Sequence, residues 1–346
     1  MKTSIKQSKF NYGNVCLGLL ETLPERQKIV LSHRFGLAGQ EPTTLQQIGD
    51  DFGITRERVR QIEREGLNKL SQRQQDKQIR EILDFLVDYL ASQGGVKRED
   101  LLLRELASNG SEHNSLYFLL ELGESFHRIG EDNNVYSFWS LDKSVLDKAM
   151  AILKKLQVIF EKEQKPLPLN HVLTVVEGEP VSFLNSVLEI AKKIEQGPLG
   201  HYGLVEWPEI KPRGVKDMAF LALTKQGSPL HFREIAKVAN ELNPDSTFQA
   251  KKKVLPQTLH NELIRDSRFV LVGRGIYALK DWGYNNGTVK EIISSLVSAV
   301  DGGLTKEEIL NGVLAQRLVR DNTILLNLHN KKNFIRDSNG RYTLKS

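Results

Sequence analysis

Two short amphipathic segments separated by a glycine, within residues 42–70, restrict the fold of this chain more than any other feature. Leu45, Ile48 and Phe52 recur at helical spacing, which predicts a first helix with one apolar stripe. Gly53 follows that helix, and glycine enters the left-handed conformation that ends many helices without steric cost. A second amphipathic segment then begins. Helix, glycine turn and helix together predict a helix-turn-helix unit.

The second segment has an apolar face and a basic face. Thr55 stands at the predicted N-cap, without a full capping box, because Arg58 occupies the position where that box needs glutamate or glutamine. Four apolar residues are predicted to point inward: Val59, Ile62, Leu67 and Leu70. Arg56, Arg60 and Arg64 recur at helical spacing on another side. Arginine can bond guanine bidentately, so this face could read DNA bases. The same pattern is equally expected of an ordinary helix whose charges face solvent.

A series of motifs stands in a fixed order between residues 23 and 63. These motifs are Leu23-Pro24-Glu25-Arg26, Arg34-Phe35-Gly36-Leu37, Thr44-Leu45, Ile48-Gly49 and Thr55-Arg56-Glu57-Arg58-Val59-Arg60-Gln61-Ile62-Glu63. The series resembles region 4 of the sigma-70 class of bacterial sigma factors. The chain departs from that family at Arg64-Glu65-Gly66, where relatives usually carry Ala-Lys-Ala.

The resemblance implies a role for the residues at the matching positions. The residues implied to read bases of a minus-35 promoter element are Arg56, Glu57, Arg60 and Gln61. The residues expected on or near the DNA backbone are Arg26, Arg34, Leu45, Thr55, Arg58 and Arg64. The helices around residues 15–37 correspond to the part that grips the flap of the RNA polymerase beta subunit, so the implied partners are double-stranded DNA and RNA polymerase core. Only 22 residues precede Leu23, and we therefore expect the promoter-melting parts of a complete sigma factor to be absent.

Composition favours an intracellular chain of several small domains. The 346 residues are 40% hydrophobic, no signal peptide is apparent, and no apolar run approaches the about 18 residues of a membrane helix. The single cysteine, Cys16, cannot form an internal disulfide and fits a reducing compartment, so we expect the bacterial cytoplasm or nucleoid. Residues 1–80 hold 14 Lys and Arg against 9 Asp and Glu, whereas the remainder holds 34 of each. Attraction to phosphates should therefore centre on the first segment.

The rest of the chain shows a repeating order of helices and a hairpin. Four segments have strand-like runs around a turn: residues 126–139, 194–207, 269–279 and 334–344. About three amphipathic helices precede each hairpin, which is the order of a winged helix. We therefore predict a mainly α fold, with a helix-turn-helix domain at residues 1–78 and four winged-helix repeats. The predicted repeats cover residues 79–140, 143–208, 214–283 and 287–345, and prolines interrupt the second.

The third repeat has a resemblance of its own. Its motifs are Ser228-Pro229-Leu230-His231-Phe232-Arg233-Glu234-Ile235, Thr258-Leu259-His260-Asn261-Glu262-Leu263, Phe269 to Leu279 and Trp282-Gly283. They resemble the HARE-HTH winged helix, which implies DNA binding or polymerase association and not catalysis. Lys251, Lys252, Lys253 and the wing-tip Arg274 are possible secondary DNA contacts, and a solvated lysine run is the alternative.

No motif supports an enzyme, a metal site or a cofactor. The eight histidines are scattered without Cys-x-x-Cys, His-Glu-x-x-His or Gly-x-Ser-x-Gly patterns, and His231 and His260 are interpreted as helix-start or packing residues. Residues 273–278 match a loose dinucleotide pattern, but they lie between two strand-like runs and are interpreted as a wing turn.

Two hypotheses about function follow from the sequence. The first is a sequence-specific DNA-binding transcription factor that contacts RNA polymerase; the second is a non-catalytic adaptor linking DNA to a polymerase, nucleoid complex or defence nuclease.

Overall fold

Four helices form the helix-turn-helix region. The computed structural model describes residues 10–108, 110–176, 178–242, 253–330 and 332–345. The helices of this region are α1 (Tyr12–Leu20), α2 (Glu25–Phe35), α3 (Leu45–Phe52) and α4 (Arg56–Ser71). The predicted helix pair is α3 and α4, and Gly53 ends α3 in the left-handed conformation with a φ of 62°. The predicted glycine turn is therefore confirmed.

The predicted apolar stripe of α3 is wrong at one residue. Ile48 is fully buried and Leu45 is half-buried, but Phe52 is 42% exposed. The Phe52 ring lies edge-on to His33, with 6.2 Å between ring centroids. Because α3 has only eight residues and stops at the glycine, its last side chain lies at the rim of the turn and not over the core.

Four repeats of helices and a small sheet follow, and we number them first to fourth. The first contains α5 (Lys77–Ser92), β1 (Val96–Arg98), α6 (Glu99–Leu106), α7 (Gly110–Leu122), β2 (His127–Ile129) and β3 (Phe138–Ser140). The second contains α8 (Lys143–Glu163), α9 (Leu169–Val175), α10 (Val181–Ile190), β4 (Ile194–Gln196) and β5 (Tyr202–Leu204). The third contains α11 (Val215–Gln226), β6 (Leu230–His231), α12 (Phe232–Glu241), α13 (Pro256–Arg265), β7 (Phe269–Gly273) and β8 (Ile276–Leu279). The fourth contains α14 (Val289–Ser298), β9 (Leu304–Thr305), α15 (Lys306–Leu314), α16 (Asp321–Leu328), β10 (Phe334–Arg336) and β11 (Arg341–Leu344).

The repeats share one antiparallel sheet topology. The strand orders β1-β3-β2, β6-β8-β7 and β9-β11-β10 each place the short strand that precedes the second helix beside the last strand of the hairpin. In the second repeat an isolated bridge between Leu167 and Tyr202 takes the place of that short strand, next to the β4-β5 pair. All four predicted hairpins are present, and the fold is mainly helical with small β wings. Among the described helices, none is both long and apolar enough to cross a membrane.

One large core joins the helix-turn-helix region to the first repeat. The described residues fall into two compact units, one within Met1–Glu195 and Tyr202–Val205, the other within Gln196–His201 and Glu206–Ser346. The large core of the first unit includes Leu20, Leu31, Ile82, Phe118 and Trp139. A smaller core beneath α3 and α4 consists of Val30, Ile48, Val59 and Ile62. The predicted limit at residue 78 thus falls in the first turn of α5, whose apolar side chains share this core with α1 and α2, and the domain boundaries stay predictions.

The third helices of the first two repeats are buried. In α7 the buried side chains are Ser115, Leu116, Phe118, Leu119, Leu120 and Leu122. Helix α10 packs on the first repeat, where the Ser186 hydroxyl donates to the Gln93 carbonyl at 2.7 Å. Beside it, the Lys97 ammonium is only 3% exposed and pairs with Glu105 at 3.2 Å and Glu189 at 3.0 Å. The first two repeats therefore use their third helices for packing within the chain.

The third and fourth repeats are joined by a buried arginine in the second compact unit. Arg317 is 3% exposed, and its guanidinium donates to the backbone carbonyls of Leu271, Asn285 and Gly287. Next to it, the Leu318 amide donates to the Val272 carbonyl at 2.8 Å, which pairs this loop with strand β7. Burial lowers the pKa of Arg317 below its ordinary value, because the charged form loses water.

Candidate nucleic-acid interface

The turn between α3 and α4 depends on two glycines and two caps. Thr44 and Gln47 form a capping box at the start of α3, and the Thr55 hydroxyl accepts from the Arg58 amide at 3.2 Å at the start of α4. The predicted cap without a full box at Thr55 is confirmed. At Gly49 a Cβ atom would lie 2.7 Å from the Ile54 carbonyl oxygen, so only glycine permits this approach of the chain.

The inner face of α4 is fixed against the helices before it. Val59 and Ile62 are buried in the small core, as predicted, and Leu70 lies in the large one. The helix continues through Gly66 without interruption because that glycine faces α2, where an added Cβ would lie 2.9 Å from Leu31 Cδ1. Glycine usually costs about 1 kcal/mol within a helix. Here Gly66 allows α4 and α2 to pack closely. The sequence showed only that this position departs from the sigma-70 family, not the reason.

The four predicted base-reading residues lie together on the outer face of α4. Arg56, Glu57, Arg60 and Gln61 are all exposed. The Arg60 guanidinium donates to both carboxylate oxygens of Glu57, at 2.8 and 2.6 Å, while the pair stays about half exposed to solvent, at 50% and 58%. Those hydrogen bonds lower the pKa of the Glu57 carboxyl, so the pair stays ionised. The arrangement presents donors and acceptors of the kind that reads base edges in a major groove.

The predicted backbone contacts have different surroundings. Arg26 is exposed on α2. Arg34 is half-buried, and its guanidinium donates to Glu63 at 3.1 Å and to the Thr43 carbonyl at 3.4 Å, which ties α2 to α4 and to the loop before α3. Leu45 packs partly on the small core at the first turn of α3. Arg34 and Leu45 therefore hold the helix-turn-helix together in addition to any role on DNA.

The second half of α4 borders an acidic wall. Arg58 donates to Gln61 at 3.0 Å, and Arg64 is exposed. Arg60 and Arg64 line a groove of about 530 Å³ whose opposite side carries Glu121 and Glu124, at the end of α7 and in the loop after it. Carboxylates repel phosphates, so this wall makes the last turns of α4 less attractive to a polyanion than its first two turns. Sequence spacing gave no sign of this wall.

The predicted secondary contacts are only partly described. Lys251 and Lys252 lie outside the described residues. Lys253 is exposed before α13, and Arg274 is exposed in the turn between β7 and β8, so residues 273–278 lie in the hairpin of the wing, as predicted, and do not open a helix. His231 is the N-cap of α12, accepting from the Arg233 amide at 3.3 Å. The His260 ring stacks on Phe232 with 4.5 Å between centroids, so both histidines have the predicted structural surroundings.

Helix α7 covers the α1–α2 pair, and sequence reasoning missed this contact. The Glu112 carboxylate accepts from the backbone amides of Tyr12 and Gly13 at 3.1 and 3.2 Å, at the N-terminus of α1. The Asn114 amide donates to the Gly36 carbonyl at 3.0 Å, and the rings of Phe118 and Phe35 lie 5.0 Å apart. A signal was present, because α7 has apolar residues on all sides, which is typical of a fully buried helix.

Comparison with known proteins agrees with both helix-turn-helix assignments. Residues 19–72 match the family "Sigma-70, region 4", and residues 213–282 match the HARE-HTH family, a helix-turn-helix domain of ASXL proteins and restriction endonucleases. The proteins named RNA polymerase sigma factor SigA of Listeria monocytogenes and Listeria innocua are each 44% identical to this chain over 66 residues. Those 66 residues are 19% of this chain and 18% of each relative, so the likeness concerns one segment. Taken together, the matches support DNA binding and a role in transcription regulation: the chain contains a sigma-70 region 4 segment and a HARE-HTH segment.

Proposed function

We propose that α4 enters the major groove of duplex DNA, reads a promoter sequence of the minus-35 type, and thereby directs transcription from that site. Arg56 and Arg60 contact guanine, Gln61 contacts adenine and Glu57 accepts from cytosine. One observation carries the proposal: these four side chains share the exposed face of a helix whose opposite face is held by two cores. Such a regulator works in the bacterial cytoplasm, at the nucleoid.

Reading a base requires Arg60 to leave Glu57. The pair is exposed, and exposed ion pairs contribute little to stability because water screens them, so the exchange for a base edge costs little. Before binding, the same pair holds the guanidinium near the helix surface in one orientation. Glu57 is then released to accept from a neighbouring cytosine.

Contact with RNA polymerase is the second part of the proposal. The sigma-70 region 4 segment supports it, but α7 covers the inner sides of α1 and α2, where Val15 and Leu31 are buried. A polymerase contact therefore uses the outer side of α1, where Leu17 is 41% exposed, or displaces α7. Pull-down of RNA polymerase core by the full chain tests this contact.

The DNA-reading proposal is tested by Arg60→Ala. The preferred sequence is first selected from a random duplex library with the full chain. We expect the variant to lose about 1–3 kcal/mol on that sequence and little on random DNA, measured by titration at fixed salt. Arg73→Ala is the matched control, since Arg73 forms a similar exposed pair with Asp76 at 2.8 Å, near the end of α4 and beyond the base-reading face. Absence of a preferred sequence, or an equal loss with the control, contradicts the proposal.

A structural adaptor is the second candidate function. The burial of α7 and α10 favours it, since two of the four repeats then act as scaffold and not as readers of DNA. An adaptor holds DNA through phosphates, without regard to sequence. Equal losses for Arg60→Ala on preferred and random duplexes would favour the adaptor.

A further inference from the structure

The third helix of the fourth repeat presents an uncovered face. In α16 the residues Asn322, Thr323 and Leu326 are exposed, and His329 follows on the same side. Leu326 is 74% exposed, the largest value among the exposed large apolar side chains of the described residues. By contrast, the second half of the corresponding helix of the first repeat, α7, is mostly buried, including Leu116, Phe118, Leu119 and Leu120. The α16 face is therefore available to a partner.

The charge around α16 identifies the class of partner. Residues 316–345 contain seven lysines and arginines against two aspartates, a net charge of +5 that the balanced total of the later chain conceals. Four exposed cations lie here: Arg320, Lys332, Arg336 and Lys345. None of these four forms an ion pair with another described residue. Such an un-neutralised cluster attracts a polyanion.

The acidic residues of this segment do not offset its cations. The Asp337 carboxylate accepts from the amides of Asn339 and Arg341, at 2.9 and 2.8 Å, and so shapes the turn between β10 and β11. Asp321 stands at the first position of α16, where a carboxylate favours the helix N-terminus. Both carboxylates thus act on the local backbone and not on the cations. The cations on either side of α16 therefore stay available to a polyanion.

The exposed face matches what a groove-binding helix needs. The Asn322 amide can bond base edges and Thr323 can do so through its hydroxyl, while an apolar side chain such as Leu326 can contact a thymine methyl group. Arg320 precedes the helix, and Lys332 and Arg336 follow it in the loop and the wing. Cations at both ends of a polar and apolar face place phosphate contacts on either side of base contacts.

We propose that the fourth repeat binds duplex DNA as a second contact, separate from α4, with α16 in a groove and Arg320, Lys332 and Arg336 on phosphates. The Arg317 junction fixes this repeat against the third one, whose own third helix, α13, exposes Gln257 and Asn261. The second compact unit therefore meets DNA as one body. This contact goes beyond the reading of a sequence by α4 and holds whether or not α4 has a preferred sequence.

The test neutralises the three cations in the full chain. Arg320→Gln, Lys332→Gln and Arg336→Gln are combined, and affinity for a short random-sequence duplex is measured by fluorescence anisotropy across a salt series. We expect the affinity to fall about tenfold or more at low salt, and the salt slope to decrease by about 0.9 for each phosphate that the variant no longer neutralises. The matched control combines Lys280→Gln, Lys290→Gln and Lys306→Gln, which removes the same charge from exposed positions elsewhere in the same compact unit.

Two results from the triple variants would overturn the proposal. An unchanged salt slope in the first triple variant means that these cations do not touch phosphates, and an equal loss in the control means that only diffuse charge is involved. Leu326→Glu adds a second, independent variant at an exposed position, which should lower affinity because a carboxylate then faces the groove. Unchanged DNA affinity of Leu326→Glu would likewise contradict the proposal, because the α16 face would then not enter a groove. Coincident unfolding curves for parent and variants confirm that the fold is intact.

Discussion

The first two and the last two repeats share a topology but differ in what their third helices do. Helices α7 and α10 are buried in contacts within the first compact unit, whereas α13 and α16 keep an exposed face. The ends of α7 and α16 differ in charge as well, with Glu121 and Glu124 near the end of α7 and Lys332 and Arg336 after α16. Repeats of one topology therefore differ in the burial of their third helices, and our proposal assigns DNA binding to a repeat whose third helix is exposed and flanked by cations.

The two pairs of repeats are also joined differently. Lys97 joins the first pair as a buried cation between two carboxylates, whereas Arg317 joins the second pair as a buried cation that meets backbone carbonyls. A buried charge is tolerated only when it is paired or fully hydrogen-bonded. The first junction balances its cation with two carboxylates, and the second provides three carbonyl acceptors.

The largest expected effect comes from truncating the same residue type in the two kinds of helix. Leu119 of α7 is fully buried, so Leu119→Ala should lower the free energy of unfolding by about 2–5 kcal/mol. Leu326 of α16 is 74% exposed, so Leu326→Ala should change it by no more than about 0.5 kcal/mol. Urea unfolding of the full chain measures both. Similar losses for the two variants would mean that α7 and α16 do not differ in burial.

The next largest effect is the difference in stability between alanine variants of two glycines, each of which follows the first helix of a repeat. Gly94 after α5 and Gly227 after α11 both adopt positive φ, 84° and 68°. Alanine in the left-handed region costs about 1–2 kcal/mol at either position. At Gly94 an added Cβ would also lie 2.4 Å from Phe183 Cα of α10, whereas at Gly227 it would meet nothing within 4 Å.

Gly94→Ala should therefore destabilise the chain by about 1–3 kcal/mol more than Gly227→Ala, because the backbone of α10 must move. Thermal unfolding of the two variants gives this difference. If the two losses are equal, the packing of α10 against the first repeat is looser than the structure indicates. The comparison of buried and exposed third helices would then rest on α7 alone.

Local signals predicted the helix-turn-helix and the four hairpins, because periodicity, caps and turn glycines act over a few residues. The exposure of Arg56, Glu57, Arg60 and Gln61 followed from the same spacing. The burial of α7 was not predictable in this way, since Glu112 meets Tyr12 across 100 positions of sequence. The strands β1, β6 and β9 were missed because each is only two or three residues long and stands directly before a helix, without a neighbouring strand and turn to mark it.

Charge in the fourth repeat was hidden for a different reason. A sum over all residues after position 80 is zero, so acidic residues elsewhere cancel the basic stretch around α16. The structure is needed to tell the exposed cations around α16, unpaired among the described residues, from the acidic residues that offset them in the sum. The acidic wall beside α4 was hidden for a related reason, since Glu121 and Arg64 line one groove although they lie far apart in the sequence.

The smallest effect tests whether the acidic end of α7 limits DNA binding by α4. Glu121→Gln combined with Glu124→Gln removes two exposed carboxylates from the groove beside Arg60 and Arg64, and a glutamine at 121 still accepts from the Tyr117 hydroxyl. We expect duplex affinity to rise about two- to fivefold at low salt, as exposed charges contribute under about 1 kcal/mol, and the gain to vanish at high salt. Glu161→Gln with Glu163→Gln on α8 is the control for net charge. An equal gain in the control would show that only total charge matters, and no gain in either would place the DNA away from the second half of α4.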